Sequence, residues 1–137
     1  MHKDDLQAIA QAKIDDADFL FSHRRYSNSY YLFGFGVEIA IKARIARVFS
    51  SETIPNKKFV QDIYTHDLDK LINLAGLKQD LNSKTSKSAR FAAFWSIASD
   101  WSERSRYDMI DAFSATALRN AIQDPEEGIF KWLRTHW

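Results

Sequence analysis

Apolar residues along this chain recur with the spacing of amphipathic helices, not with the alternation of strands. The first periodic segment runs from about Asp4 to about Ser22, and Asp4 and Asp5 lie where a helix cap and a favourable dipole charge belong. Its apolar stripe consists of Leu6, Ile9, Ala10, Ile14, Ala17, Leu20 and Phe21. The pattern therefore predicts a first helix with one buried face.

The second periodic segment, from about Ser27 to about Phe49, is apolar nearly all round. A helix of this kind is typically central and covered on several sides. Gly34 and Gly36 lie inside it, and each costs about 1 kcal/mol relative to alanine in a helix. We therefore expect another backbone to come close to the helix at these two glycines.

Four more helices are predicted, and Thr65 or Asp67 caps the first of them. Gly76 ends this short third helix. The remaining three run from about Ser88 to Arg104, from about Asp111 to Gln123, and from Pro125, capped by Asp124, to about Arg134. Between the helices, Ser50–Tyr64 is predicted to be a surface loop and Lys78–Lys87 a mobile polar segment.

Length and composition agree with one helical domain. The 137 residues match the size of a single domain, with four glycines and two prolines to interrupt helices. Neither strand-like alternation nor an internal repeat is present. We predict an all-α, up-and-down bundle of four to five helices plus a short C-terminal helix, spanning residues 1–137.

Composition also excludes several classes of protein. The absence of cysteine rules out a disulfide scaffold and a thiol nucleophile. The longest uncharged run, Tyr26–Val37, is too short to cross a bilayer as a helix. We therefore expect a protein of the cytoplasm that does not act in a membrane.

Charge is unevenly distributed although the net charge is only +1. Residues 1–22 hold two lysines and five aspartates, whereas residues 23–49 and 84–107 each hold five lysines or arginines. One interpretation is that these charges pair within the fold. The other is a basic groove for phosphate, which the small net excess makes the less favoured one.

Glu38 and Lys42 are the most informative charged pair. Their four-residue spacing places them on one helix face, together with Tyr31, Phe35 and Ile45. Ionised groups in an apolar stripe need partners, so a buried ion pair that fixes helix packing is the favoured interpretation. The alternative is a charged feature that lines a pocket.

His66 and the Arg104–Tyr107 segment are further candidates. His66, beside Asp67 at the start of the third helix, is either a hydrogen-bonded cap residue or a general acid or phosphate ligand. Arg104, Arg106 and Tyr107 suit phosphate contact and base stacking. An equally favoured interpretation is that Arg104 or Arg106 pairs with Glu38, Asp100 or Asp108 and so stabilises the junction between two helices.

Metal and cofactor sites are not expected. His2, His23 and His136 lie far apart and lack the spacing of zinc ligands. The glycines of helix two do not form a phosphate-binding loop, because the signature glycines and lysine are missing.

Three motifs together resemble the HEPN family of helical, nucleotide- and RNA-associated domains. An aromatic-rich stretch, Tyr31–Ala43, leads to Glu38 and Lys42, as in that family's second helix. His66–Leu71 resembles its "H-D-L-x-x-L" helix start, and Arg106-Tyr107 resembles the "RY" element after helix four. The resemblance covers most of the chain.

The resemblance implies a helical bundle that is usually dimeric. Its members act as RNases, as RNA- or nucleotide-binding modules, or as partners of small nucleotidyltransferases, often in toxin–antitoxin or phage-defence systems. The catalytic members carry an arginine followed, within a few residues, by a histidine. Arg119 begins such a motif here, but Asp124, Pro125 and Glu126 occupy the positions that should supply the histidine.

These observations lead to three functional hypotheses. The favoured one is a non-catalytic module that binds RNA, a nucleotide or a partner protein, and its expected binding residues are Glu38, Lys42, His66, Asp67, Arg104, Arg106, Tyr107 and Arg119. The second is a metal-independent RNase with a rearranged site that uses His66 and Arg106. The third is a structural homodimer that serves a neighbouring nucleotidyltransferase, and for any dimer we expect the subunit contact near Gly34 and Gly36.

Overall fold

The computed structural model describes residues 2–49 and 56–137, and all secondary structure in these two ranges is helical. The α-helices are α1 (Lys3–Ser22), α2 (Tyr26–Val48), α3 (Lys57–Asp62), α4 (Leu68–Leu74), α5 (Lys78–Lys87), α6 (Ala89–Ser99), α7 (Ala112–Gln123) and α8 (Ile129–Arg134). A 3₁₀ helix, Glu103–Tyr107, lies between α6 and α7. The predicted all-α bundle is confirmed, with additional short helices.

Helices α1 and α2 form a tight hairpin. Ala10, Ile14 and Ala17 of α1 are buried, as the apolar stripe predicted. The chain reverses at Arg24, whose φ of 62° places it in the left-handed region. The buried Ser29 hydroxyl donates to the Ala17 carbonyl at 2.8 Å and so ties the two helices together at this end.

Helix α2 is the centre of the bundle and packs against α1, α4, α7, α8 and the 3₁₀ helix. Both of its glycines are buried. A Cβ on Gly34 would clash with the Trp101 ring, and one on Gly36 would lie 2.7 Å from Ile14 Cδ1. The expected subunit contact at Gly34 and Gly36 is therefore wrong, because Trp101 and α1 of the same chain cover both positions.

Two segments that lacked an amphipathic pattern are nevertheless helical. Part of the predicted loop Ser50–Tyr64 lies outside the described residues, but Lys57–Asp62 forms α3, capped by Asn56. The segment predicted to be mobile, Lys78–Lys87, forms α5. A single apolar residue, Leu81, anchors α5 in the core, which explains why the pattern was missed.

One of the two caps predicted for α4, Asp67, is confirmed, and α7 starts where its periodicity predicted. Asp67 accepts a hydrogen bond from the backbone N–H of Lys70 at 3.1 Å, and Gly76, with φ of 72°, follows the end of α4. Asp111 accepts from the backbone N–H of Ser114 at 2.7 Å and starts α7. These are local interactions that short-range sequence patterns predict directly.

Two predicted boundaries were wrong. Helix α6 ends at Ser99 instead of Arg104, and the chain continues through Trp101 into the 3₁₀ helix. Helix α8 begins at Ile129 instead of Pro125, because the Asp124 carboxylate accepts from the backbone N–H groups of Glu126 and Glu127 and holds a turn there. Within residues 2–49 and 56–137, no helix combines the length and apolarity that a membrane span requires.

Candidate functional site around His66 and the 3₁₀ helix

Glu38 lies in the middle of α2 and is only 2% exposed. One carboxylate oxygen, Oε2, accepts a hydrogen bond from Lys42 Nζ at 3.2 Å, one helical turn further along. The Lys42 side chain is about one quarter exposed, so its ammonium group reaches the edge of the bundle. The predicted buried pair is confirmed, with one partner fully buried and the other at the surface.

His66 lies between two carboxylates, which the sequence pattern did not predict. Its Nδ1 is 2.9 Å from Glu38 Oε1, and its Nε2 is 3.1 Å from Glu103 Oε2. Glu38 belongs to α2, His66 precedes α4, and Glu103 begins the 3₁₀ helix. The imidazole ring therefore connects three elements that are distant in sequence.

The hydrogen-bonding chemistry of His66 follows from this geometry. An ionised carboxylate only accepts hydrogen bonds, so the hydrogen bond with Glu38 requires an N–H on Nδ1, whereas Nε2 and Glu103 form an ion pair when the ring is charged. An imidazolium ring supplies both N–H groups, and a neutral ring supplies one. In either state each ring nitrogen faces a carboxylate of the same chain.

The cavity beside His66 is acidic. It has a volume of about 420 Å³ and is lined by Thr65, His66, Asp67, Leu68, Asp69, Ser99, Asp100, Trp101, Ser102 and Glu103. Four of these residues are carboxylates, which repel phosphate. Asp67 also serves as the cap of α4. This surface does not suit the phosphate contact considered for His66 and Asp67.

The 3₁₀ helix presents its cationic residues differently. Arg104, Arg106 and Tyr107 are all exposed, and the Arg106 guanidinium stacks 4.9 Å from the centre of the Tyr107 ring. Tyr107 raises the pKa of Arg106, so this guanidinium stays charged. Within residues 2–49 and 56–137, neither arginine has a carboxylate oxygen within 4.0 Å. The alternative pairing of these arginines with Glu38, Asp100 or Asp108 is not found in the described ranges, and Glu103 contacts His66 at the junction instead.

Arg119 has a different environment from the other candidates. Its Nε donates to Asp18 Oδ1 at 2.7 Å, and its guanidinium stacks on Phe21 at 5.0 Å. These contacts join α7 to α1, and none of them involves the His66 cluster. Asp18 of the acidic first helix therefore pairs with α7. Its partner, Arg119, lies outside both basic segments of the sequence, residues 23–49 and 84–107.

Three of the sequence motifs come together in space. Glu38 and Lys42 of α2, His66 before α4 and Glu103 of the 3₁₀ helix form one connected cluster, and Arg106 follows Glu103 by three residues. Residues three apart eclipse each other in a 3₁₀ helix, so Arg106 lies on the same side as Glu103. Glu103 was missed in the sequence because no spacing rule relates it to residues 37 and 65 positions earlier.

No group of three or more histidine, aspartate or glutamate side chains in the described ranges is arranged to hold a metal ion. Comparisons with protein-family models, with curated proteins and with solved structures found no match for this chain.

Proposed function

We propose that this protein is a non-catalytic HEPN-like module that binds single-stranded RNA at the 3₁₀ helix. The observation that carries this proposal is the exposed stack of Arg106 on Tyr107, beside an equally exposed Arg104. Guanidinium groups bind phosphate oxygens through paired hydrogen bonds, and an exposed aromatic ring stacks on a base. Two arginines and one tyrosine within four residues supply both kinds of contact.

The contacts of His66 with Glu38 and Glu103 support a binding role over an RNase role. Cleavage of RNA without a metal needs a group that takes a proton from the attacking hydroxyl, and such a base must reach that hydroxyl. Glu38 and Glu103 face the two ring nitrogens of His66 at 2.9 and 3.1 Å. The acidic cavity opposes the entry of an RNA phosphate next to the His66 ring itself.

The HEPN assignment rests on the sequence motifs and on their convergence. The Glu38–Lys42 pair, His66 and the Arg106-Tyr107 element belong to three different elements, yet they lie in one cluster or directly beside it. With this assignment the proposal includes a homodimer in the cytoplasm, a role in a toxin–antitoxin or phage-defence system, and a nucleotidyltransferase-type partner.

Fluorescence anisotropy with a labelled single-stranded RNA of about 12 nucleotides tests the binding site, since such sites span about 4 to 16 nucleotides. The double variant Arg104→Ala/Arg106→Ala should weaken binding by about tenfold or more, because charge-assisted hydrogen bonds to phosphate are lost. Tyr107→Ala should weaken it by roughly fivefold or more through lost stacking.

A matched control separates this site from general electrostatic attraction. Lys78→Ala/Lys87→Ala also removes two positive charges, but from exposed positions of α5, which is a different element from the 3₁₀ helix. Its affinity should stay close to the wild-type value. Equal losses in the two double variants, or no binding by the wild type at low salt, would refute the proposed site.

The RNase hypothesis is the alternative, and the His66–Glu103–Arg106 neighbourhood is what favours it. Incubation of the RNA with the protein in the presence of a chelator distinguishes the two functions on a denaturing gel. We expect no cleavage above background. Cleavage that disappears in His66→Ala and persists in the Lys78→Ala/Lys87→Ala control would establish the RNase instead.

A further inference from the structure

Large apolar side chains are exposed around the segment that joins the 3₁₀ helix to α7. Met109 is 99% exposed and Phe113 is 83% exposed, and Ile97 of α6 is also solvent-accessible. Single exposed apolar residues are common on protein surfaces, whereas a contiguous set marks an interaction site. The exposed set here involves two neighbouring helices and the loop before one of them.

A groove beside Phe113 gives this surface a definite shape. It has a volume of about 340 Å³ and is lined by Tyr30, Ser96, Ile97, Asp100, Phe113, Ser114 and Ala117. Its walls belong to α2, α6 and α7. Ile97, Phe113 and Ala117 give the groove an apolar part beside its polar side chains, and its volume has room for a side chain such as methionine, which adapts readily to irregular gaps.

The groove has an acidic rim. The pKa of the half-buried Tyr30 hydroxyl is raised by burial and then by the negative charges of Asp100 and Asp108. Asp100 lines the groove itself, and Asp108 acts on the same Tyr30 hydroxyl from the end of the 3₁₀ helix. Asp100 and Asp108 are both exposed, so they are available to a cationic partner.

A basic rim lies beside Ile110, the residue that follows Met109. Arg24 and Arg25 of the α1–α2 turn line a surface recess together with Ile110. The segment is fixed there because the backbone N–H of Ile110 donates to Ser27 Oγ at 2.9 Å. Met109 therefore lies in the chain between the exposed Asp108 and Ile110, which lines the recess with Arg24 and Arg25. We name this surface, comprising Arg24, Arg25, Ile97, Asp100, Asp108, Met109 and Phe113, the Met109 face.

We infer that the Met109 face binds a second copy of the same chain, with Met109 of each copy entering the groove beside Phe113 of the other. This inference rests on the homodimer of the proposed function and names its surface. A two-fold axis pairs each patch with itself, so one patch must hold both halves of every contact. The Met109 face does so, because it carries a projecting side chain with a recess, and a basic rim with an acidic rim.

This dimer would also place two RNA-binding surfaces near each other. Tyr107 precedes Met109 by two residues, so the 3₁₀ helices of the two copies lie close to the proposed contact. One strand that contacts both copies would gain affinity by effective concentration, without any new kind of contact.

Sedimentation velocity at tens of micromolar tests the face directly. The wild type should be dimeric, and Met109→Asp should raise the dimer dissociation constant by about tenfold or more, because a carboxylate would enter a groove that already holds Asp100 beside Ile97 and Phe113. Tyr64→Asp is the control, since Tyr64 is also a largely exposed apolar side chain, at 73%, but lies between α3 and α4. It should leave the dissociation constant unchanged.

Charge reversal provides a second and independent test. Arg25→Glu alone and Asp108→Arg alone should each weaken the dimer, because each places like charges opposite each other twice across the axis. An equimolar mixture of the two variants should regain the dimer, since both cross-axis pairs are again of opposite sign. Circular dichroism of each variant checks that the helices remain folded.

The outcomes separate this inference from the proposed function. A dimer that withstands Met109→Asp, or a mixture of charge variants that stays monomeric, would overturn the Met109 face. A monomeric wild type would overturn the homodimer as well. RNA binding and its loss in Arg104→Ala/Arg106→Ala are measured separately, so they test the proposed RNA site independently of the Met109 face.

Discussion

Glu38 has two cationic or potentially cationic neighbours and almost no access to water. Lys42 and His66 each contact a different carboxylate oxygen, at 3.2 and 2.9 Å. A buried carboxylate is tolerated where such partners compensate for its lost hydration. The side chain therefore connects α2 to the segment before α4 as well as to its own next turn.

The first prediction, at this residue scale, is that Glu38→Ala lowers the free energy of unfolding by about 1 to 3 kcal/mol, because two charge-assisted hydrogen bonds are lost while Lys42 and His66 both still reach solvent. Glu38→Gln, which keeps the size and one acceptor oxygen, should cost less. The combination Glu38→Leu/Lys42→Met should also cost clearly less than Glu38→Ala, because no stranded charge remains. Urea unfolding curves give all three values, and an unchanged midpoint for Glu38→Ala would show that the carboxylate does not stabilise the fold.

Two glycines set how closely neighbouring elements approach α2. Trp101, after the end of α6, lies directly over Gly34, and Ile14 of α1 lies over Gly36. The two contacts differ in kind, because the indole is a rigid ring and the Ile14 contact is the tip of a flexible side chain. The same substitution should therefore have different effects at the two positions.

The second prediction, at the scale of elements, compares Gly34→Ala with Gly36→Ala. Helix propensity alone would favour alanine by about 1 kcal/mol at either position. At Gly34 the new methyl group must displace the Trp101 ring, which should destabilise by about 1 to 3 kcal/mol net. At Gly36, rotation of Ile14 relieves most of the clash, so the loss should be smaller. Urea unfolding followed by tryptophan fluorescence measures both, and equal effects would contradict the role given to Trp101.

Helix α2, helix α5 and the segment after α8 meet around His136. Arg44 and Arg47 of α2 donate to the His136 carbonyl at 3.1 and 3.0 Å, and Asp80 of α5 lies 4.0 Å from the His136 ring. The Trp132 ring packs edge-on against the imidazole. Burial lowers the pKa of His136, with Asp80 opposing and with Arg44 and Arg47 adding to the effect.

The third prediction, at the scale of the whole molecule, concerns stability against pH. An unfolded histidine takes up its proton near pH 6.5, whereas folded His136 takes it up only at lower pH. Below about pH 6.5 the unfolded state therefore binds more protons, and the free energy of unfolding falls as pH decreases. His136→Gln removes this contribution, so the stability advantage of the wild type over the variant should shrink between about pH 8 and pH 5. Urea unfolding across this range measures the difference, and parallel curves would contradict the assignment.

Local patterns in the sequence determined most helices and their caps. Helices α1, α2 and α7 lie within one or two residues of their predicted limits, because apolar periodicity and capping residues act over a few positions. The Glu38–Lys42 pair was predicted for the same reason, since a four-residue spacing fixes proximity within one helix. The α5 helix was missed, because one buried leucine in ten residues leaves no periodic signal.

Contacts between distant segments were decided by the tertiary structure alone. The meeting of Glu38, His66 and Glu103, the position of Trp101 over Gly34 and the exposure of Met109 beside the Phe113 groove all depend on how separate elements pack. The sequence named Glu38, His66 and Arg106 as candidates but could not state which carboxylates face the histidine or which arginines lack a carboxylate partner. The physical reason is that helical periodicity determines which face of a helix is buried, whereas the partner of that face depends on the packing of the whole bundle.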